Sequence, residues 1–158
     1  MFPCFLLHDS VRLKHDFNSE TPPTIITPHD CYITAVELKD GWLTFTFDDD
    51  IMHGEDCPIG SDRKFDCIRF HIDELVFDDG ILVCRGNIKR KKWIYKEVGL
   101  DYLRKVLCRG NLEYMYHFVA FGGIIIQLFY GKKGSAKWSQ YELTIDTDMV
   151  EIEWSKRQ

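Results

Sequence analysis

Three His-Asp dipeptides fall within the first thirty residues, His8-Asp9, His15-Asp16 and His29-Asp30, and such a pair can supply two ligands to a divalent metal. In the helical phosphohydrolases that use one, the pair lies on a helix and further His and Asp residues at helical spacing complete the shell. Here Pro28 precedes His29-Asp30 and an alternating pattern follows, so the pair reads as the start of a strand, with Asp30 serving the turn. His29 and Cys31 together with His53 and Cys57 form a second candidate, since zinc takes His and Cys ligands tetrahedrally. An H-x-C triplet in extended chain puts both side chains on one face. The spacing matches no zinc module, and neither a metal nor a cofactor is assigned. A metalloenzyme centred on His29 and Asp30 stays as an alternative.

Other reactive constellations are missing from the sequence. Nucleophilic catalysis needs a nucleophile, a base and an oxyanion pocket, and no G-x-S-x-G elbow occurs. Gly131-Lys132-Lys133-Gly134 lacks the Walker pattern and reads as a hairpin turn. The six cysteines, Cys4, Cys31, Cys57, Cys67, Cys84 and Cys108, are spread without a CxxC. They read as reduced thiols, several at positions where a small apolar side chain packs. The expectation is a protein that is not an enzyme.

Charge is more informative. Between Glu37 and Asp79 thirteen acids stand against four bases, and between Arg85 and Arg109 nine bases stand against two acids. Such segregation is compatible with a solvated surface whose lysines guard an exposed edge strand. Its functional reading is a docking face: complementary charge speeds encounter and selects partners. Asp48, Asp49, Asp50, Glu55 and Asp56 are the candidate contact residues for a basic protein partner. The alternative is contact with RNA, single-stranded DNA or another ligand through Lys89, Arg90, Lys91 and Lys92, with Trp93 and Tyr95 available to stack. A formal net charge of -5 argues against nucleic acid.

The elements that must position these residues are mostly strands. Residues 1 to 30 contain Pro3, Pro22, Pro23 and Pro28 without a sustained period, which predicts an irregular lead-in. Tyr32 to Leu38 alternate, Lys39-Asp40-Gly41 marks a turn, and Leu43, Phe45 and Phe47 alternate with Trp42, Thr44 and Thr46, a hairpin signal. Asp48 to Asp66 is rich in Asp, Gly and Pro and predicts a long loop. Further strands are expected at Cys67 to Ile72, Leu75 to Phe77, Ile81 to Cys84, Trp93 to Tyr95, Tyr114 to Phe121 and Ile124 to Tyr130. A closing hairpin is expected from Tyr141 to Ile145 and Val150 to Trp154, around Asp146-Thr147-Asp148. Leu100, Leu103, Val106 and Leu107 recur at helical spacing, with Asp101 in the first turn and Gly110 past the last, so one helix is predicted near 100 to 109.

Short turns join antiparallel neighbours, because a parallel pair needs a long crossover. The expected class is mainly β (α+β): a mostly antiparallel sheet or rolled sandwich with one main helix, in a single domain spanning 1 to 158. At 45% hydrophobic and 14% aromatic residues the chain has the composition of a folded domain. The start, MFPCFLLHDS, lacks the basic and apolar regions of a secretory signal, and no apolar run reaches bilayer length. A cytoplasmic protein with no membrane association is expected.

His29-Asp30-Cys31-Tyr32-Ile33, the following hairpin with Leu43, Phe45 and Phe47, and the closing stretch from Leu143 to Trp154 resemble parts of small bacterial families, including immunity proteins of polymorphic toxin systems. About forty residues carry the likeness, and it brings no catalytic residues with it. The resemblance implies a protein that acts by binding: an immunity-type inhibitor needs a stable scaffold and a complementary surface. Many toxins of such systems attack nucleic acid and are basic, which would suit an acidic face.

Overall fold

A computed structural model describes residues 11–15, 28–51, 65–72, 81–89, 92–120, 123–132, 134, 138–146 and 150–155. The strands are β1 (Val11–His15), β2 (Cys31–Lys39), β3 (Trp42–Ile51), β4 (Phe65–His71), β5 (Leu82–Lys89), β6 (Lys92–Glu97), β7 (Asn111–Ala120), β8 (Gly123–Gly131), β9 (Trp138–Asp146) and β10 (Val150–Ser155); helix α1 is Leu100–Leu107. All ten strands lie in one sheet, in the order β1-β10-β4-β3-β2-β7-β8-β9-β5-β6. Each neighbouring pair is antiparallel, so the mainly antiparallel class with one short helix is what the chain adopts.

The β2–β3 hairpin forms where the alternation placed it. Lys39 pairs with Trp42 across a two-residue loop. Asp40 and Gly41 hold φ of 51° and 76°, the left-handed pair that a tight primed turn requires and that Asp-Gly supplies at low cost. Leu43, Phe45 and Phe47 then point to one face and are fully buried. The helix ends two residues short of its expected span, and its buried stripe is Leu100, Leu103 and Val106.

Three expectations are corrected. Strand β1 lies inside the expected irregular lead-in of residues 1 to 30, where Val11 and Leu13 alternate with Arg12 and Lys14. Five residues are too few to stand out from prolines on either side, and pairing with β10 is what holds them extended. The loop expected from Asp48 begins later, because β3 runs on to Ile51, which pairs with Phe65 after a register shift. The pairing of Ile51 with Phe65 carries the strand past three aspartates whose own strand preference is low. The closing hairpin does not form: β9 lies between β8 and β5, while β10 lies between β4 and β1. The strand expected at Leu75 to Phe77 lies outside the described residues.

That last correction fixes the curvature. β9 ends at Asp146 and β10 begins at Val150, so four residue steps span at most about 14 Å. The two strands are six places apart in the sheet, which in a flat sheet would be about 29 Å. The sheet must therefore roll until these strand ends approach each other. Consistent with a roll, α1 touches β2, β7 and β5, and Arg104 Nε donates to Val36 O at 3.1 Å, tying the helix to β2.

Inside the roll, Phe45 meets Phe70 and Tyr114 edge-on, with ring centroids 6.3 and 5.4 Å apart. His117 is buried beside them, and its Nδ1 lies 3.0 Å from Tyr114 Oη. Burial holds the Tyr114 hydroxyl protonated, its pKa pushed well above the ordinary 10.0. Strict alternation would send Tyr114 and His117 to opposite faces. A bulge between Tyr114 and Tyr116 changes the parity of β7, turning His117 inward and Tyr116 and Phe118 outward.

Candidate functional site

The sequence-predicted acidic contact set is not assembled. Asp48 is exposed on β3, Asp49 and Asp50 are strand residues whose side chains are not described, and Glu55 and Asp56 lie outside the described residues. The basic set is divided as well. Lys89 and Lys92 pair at the end of the β5–β6 hairpin, while Arg90 and Lys91 lie outside the described residues. Strand alternation puts Lys92 and Lys96 on one face of β6 and Tyr95 on the other, so Tyr95 cannot stack a base over phosphates held by those lysines. β6 is an edge strand, in keeping with charged residues that discourage edge-to-edge pairing.

His29 and Asp30 form a turn at the start of β2. His29 Nδ1 is 2.8 Å from Asp30 Oδ2, Asp30 has φ 64°, and its N–H donates to Tyr114 O at 3.0 Å. The His29 ring rests against Tyr116, 4.7 Å between centroids. Glu113, across the ladder from Tyr32, has its pKa raised by burial and by Asp30, with His29 pulling it back down. Among the described residues no three His, Cys, Asp or Glu side chains converge as a metal shell needs. His53 and Cys57 lie outside them, and the Cys31 thiol is 3.7 Å from the His29 carbonyl.

What the fold does assemble is a face. On the side of β7, β8, β9, β5 and β6 turned away from the core, the register brings Phe118, Ile125, Thr144 and Leu82 into one row. The next row is Tyr116, Gln127, Glu142, Cys84 and Glu97. Phe118, Tyr116, Leu82 and Ile125 are 44%, 44%, 42% and 38% exposed, and Tyr95 and Trp138 are more open still. Phe129 and Trp138 stack at 5.3 Å along the same side. The charges among them are acidic, from Glu113, Glu142, Asp146 and Glu97, and no lysine or arginine occupies this face of the five strands. Contiguous exposed apolar surface with a polar rim marks an interaction site. Sequence reasoning missed it because strand parity on β7 depends on the bulge.

Comparison with protein-family models, with curated proteins and with solved structures returned no match. Among the described residues no helix is long and apolar enough to cross a membrane.

A second polar feature lies on the core side of β5. Arg85 Nη1 donates to Tyr102 Oη at 3.0 Å and Nη2 to Ser139 Oγ at 3.2 Å, and Ser139 Oγ donates to Asn87 Oδ1 at 2.6 Å. Tyr141, opposite Arg85 on β9, has its pKa pushed from 10.0 to about 12, chiefly by burial, with the Arg85 cation acting against the rise. The raised value means the folded state holds this proton more tightly than the unfolded chain. Its contribution to stability is therefore full below about pH 10 and is lost as pH climbs through about 12. Phenolate absorbance against pH is expected to show Tyr141 ionising late, and later still in Arg85→Gln; titration of every tyrosine near pH 10 would contradict the burial.

Proposed function

We propose that this chain is a non-enzymatic protein-binding module that captures a basic partner on the acidic, aromatic face of β7, β8, β9, β5 and β6. The observation that carries the reading is the cation-free row of Tyr116, Phe118, Ile125 and Leu82 beside Glu142 and Glu97. Exposed aromatic residues supply interface energy at small entropic cost. The acids around them would speed encounter with a positively charged surface and reject a negative one. An immunity-type inhibitor of a basic toxin is the finer form of this reading and rests on the sequence resemblance. It needs no reactive constellation.

The test is capture from native lysate followed by binding measurements with the identified partner. Phe118→Lys is expected to weaken binding by at least about thirtyfold, the loss of a central interface residue worth about 2 kcal/mol. Glu142→Lys should slow association and flatten its dependence on salt. Asp48→Lys should leave affinity unchanged. A partner that is acidic, or one lost with Asp48→Lys and kept with Phe118→Lys, overturns this assignment of the face. The alternative, nucleic-acid contact through Lys89 to Lys92, predicts a steep fall of affinity with salt, and the separation of Tyr95 from Lys92 speaks against it.

A further inference from the structure

The polar network around Arg85 has used its acceptors and kept its donors. Ser139 Oγ accepts from Arg85 and gives its proton to Asn87 Oδ1. Tyr102 Oη accepts from Arg85, and its hydrogen bond with Tyr141 raises the Tyr141 pKa, as expected where Tyr141 donates and Tyr102 keeps its own proton. Arg85 Nε is buried with no hydrogen-bond partner. Among the described residues, each group in contact with this guanidinium is neutral: two hydroxyls and the Tyr102 ring, 5.9 Å from its centre. Arg85 as a whole is half-buried, but its Nε is out of water, and an unmatched buried donor is costly. Yet the chain puts arginine where the preceding inward position of the same strand is Val83, which is fully buried, as is Ile81 just before the strand begins. Lys96 stands directly across the ladder from Arg85, adding a second cation on the same side.

The geometry points to an oxyanion site at Arg85, built to take the terminal phosphate of a small molecule. A ligand that only accepts hydrogen bonds completes a network with surplus donors. A planar guanidinium, a phenol proton and an ammonium approaching from different elements suit a tetrahedral anion better than a planar carboxylate. Ser139 is only 5% exposed, so the group reached is compact, a terminal phosphate and not the diester backbone of a nucleic acid. Drawing the guanidinium toward the ligand would also give Nε the acceptor it lacks. The site is on the opposite face of β5 and β9 from the proposed docking surface, so the two are independent.

The experiment is a titration of the full chain with inorganic phosphate, following the Arg85 Nε–H resonance by proton–nitrogen correlation, with sodium chloride of equal ionic strength and sodium acetate as separate arms. Phosphate is expected to shift that resonance saturably, while chloride and acetate do not. Tyr102→Phe, at a partly exposed position, should weaken phosphate by about three- to tenfold, the worth of one hydrogen bond. Lys96→Ala, at an exposed strand position, should weaken it by a similar factor. Arg85→Lys keeps the charge and loses the fork, and should weaken it by about tenfold or more. No saturable shift, a shift reproduced by chloride, or acetate binding as tightly as phosphate overturns the proposal. So does phosphate binding that is unchanged in both Tyr102→Phe and Lys96→Ala.

Discussion

Phe45→Ala is expected to lower the free energy of unfolding by about 3 to 5 kcal/mol, the range for truncating a buried aromatic residue. Phe45 is fully buried at the middle of β3, between Val36 on β2 and Ile68 on β4. Its ring meets Phe70 and Tyr114 edge-on, and such contacts add about 0.5 to 1.5 kcal/mol beyond burial alone. The surrounding strands are held by ladders on both sides, so the cavity has little freedom to collapse. Urea unfolding should show a lower midpoint with an unchanged slope. Phe45→Leu, which keeps most of the volume, should cost markedly less. A loss below about 1 kcal/mol for the alanine variant would contradict a core organised around this residue.

Glu153→Ala is expected to cost about 3 kcal/mol, the lower end of the range for breaking a buried ion pair. The Glu153 carboxylate side chain is 3% exposed, and Arg69 approaches it through Nη2 at 2.5 Å and Nε at 2.8 Å. Arg69 also lies over the Trp42 ring, 4.4 Å from its centroid, and Trp42 in turn rests on His71. Glu153 therefore fixes the arginine that stacks this layer on β3, β4 and β10. Removing the carboxylate leaves a guanidinium partly out of water without its counter-charge. Arg69 keeps about a third of its side-chain surface, which tempers the penalty. The double variant Arg69→Ala/Glu153→Ala should be destabilised by less than the sum of the singles, read by the same urea unfolding. Strict additivity would show that the pair contributes nothing as a pair.

The parts of the fold that were legible in the sequence are those set by local chemistry. Asp40-Gly41 between two alternating runs specified the β2–β3 hairpin, and the spacing of Leu100, Leu103 and Val106 specified the helix. Tyr141 to Ile145 and Val150 to Trp154 looked equally like a hairpin, since alternation and a short polar connection are all that sequence offers there. The two strands take other neighbours because each has a longer matched ladder elsewhere, β9 with β8 along its whole length and β10 with β4. Pairing between distant segments is a competition among ladders, and no local pattern reports its outcome.

The candidate site was legible as charge and illegible as place. Counting acids and bases along the chain divides it into an acidic and a basic segment, but a sheet sorts charge by strand face. Glu97 and Lys96 are sequence neighbours that the β6 pleat sends to opposite sides, one to the acidic face and one toward Arg85. By itself, then, the sequence determined an antiparallel β class, one helix, the first hairpin and a stock of segregated charge, because these follow from residue period and turn chemistry. Only the tertiary structure decided which side chains share a surface. One bulge between Tyr114 and Tyr116 turns His117 into the core and Tyr116 and Phe118 out of it, since with a side-chain period of two a single extra residue reverses the facing of all that follow.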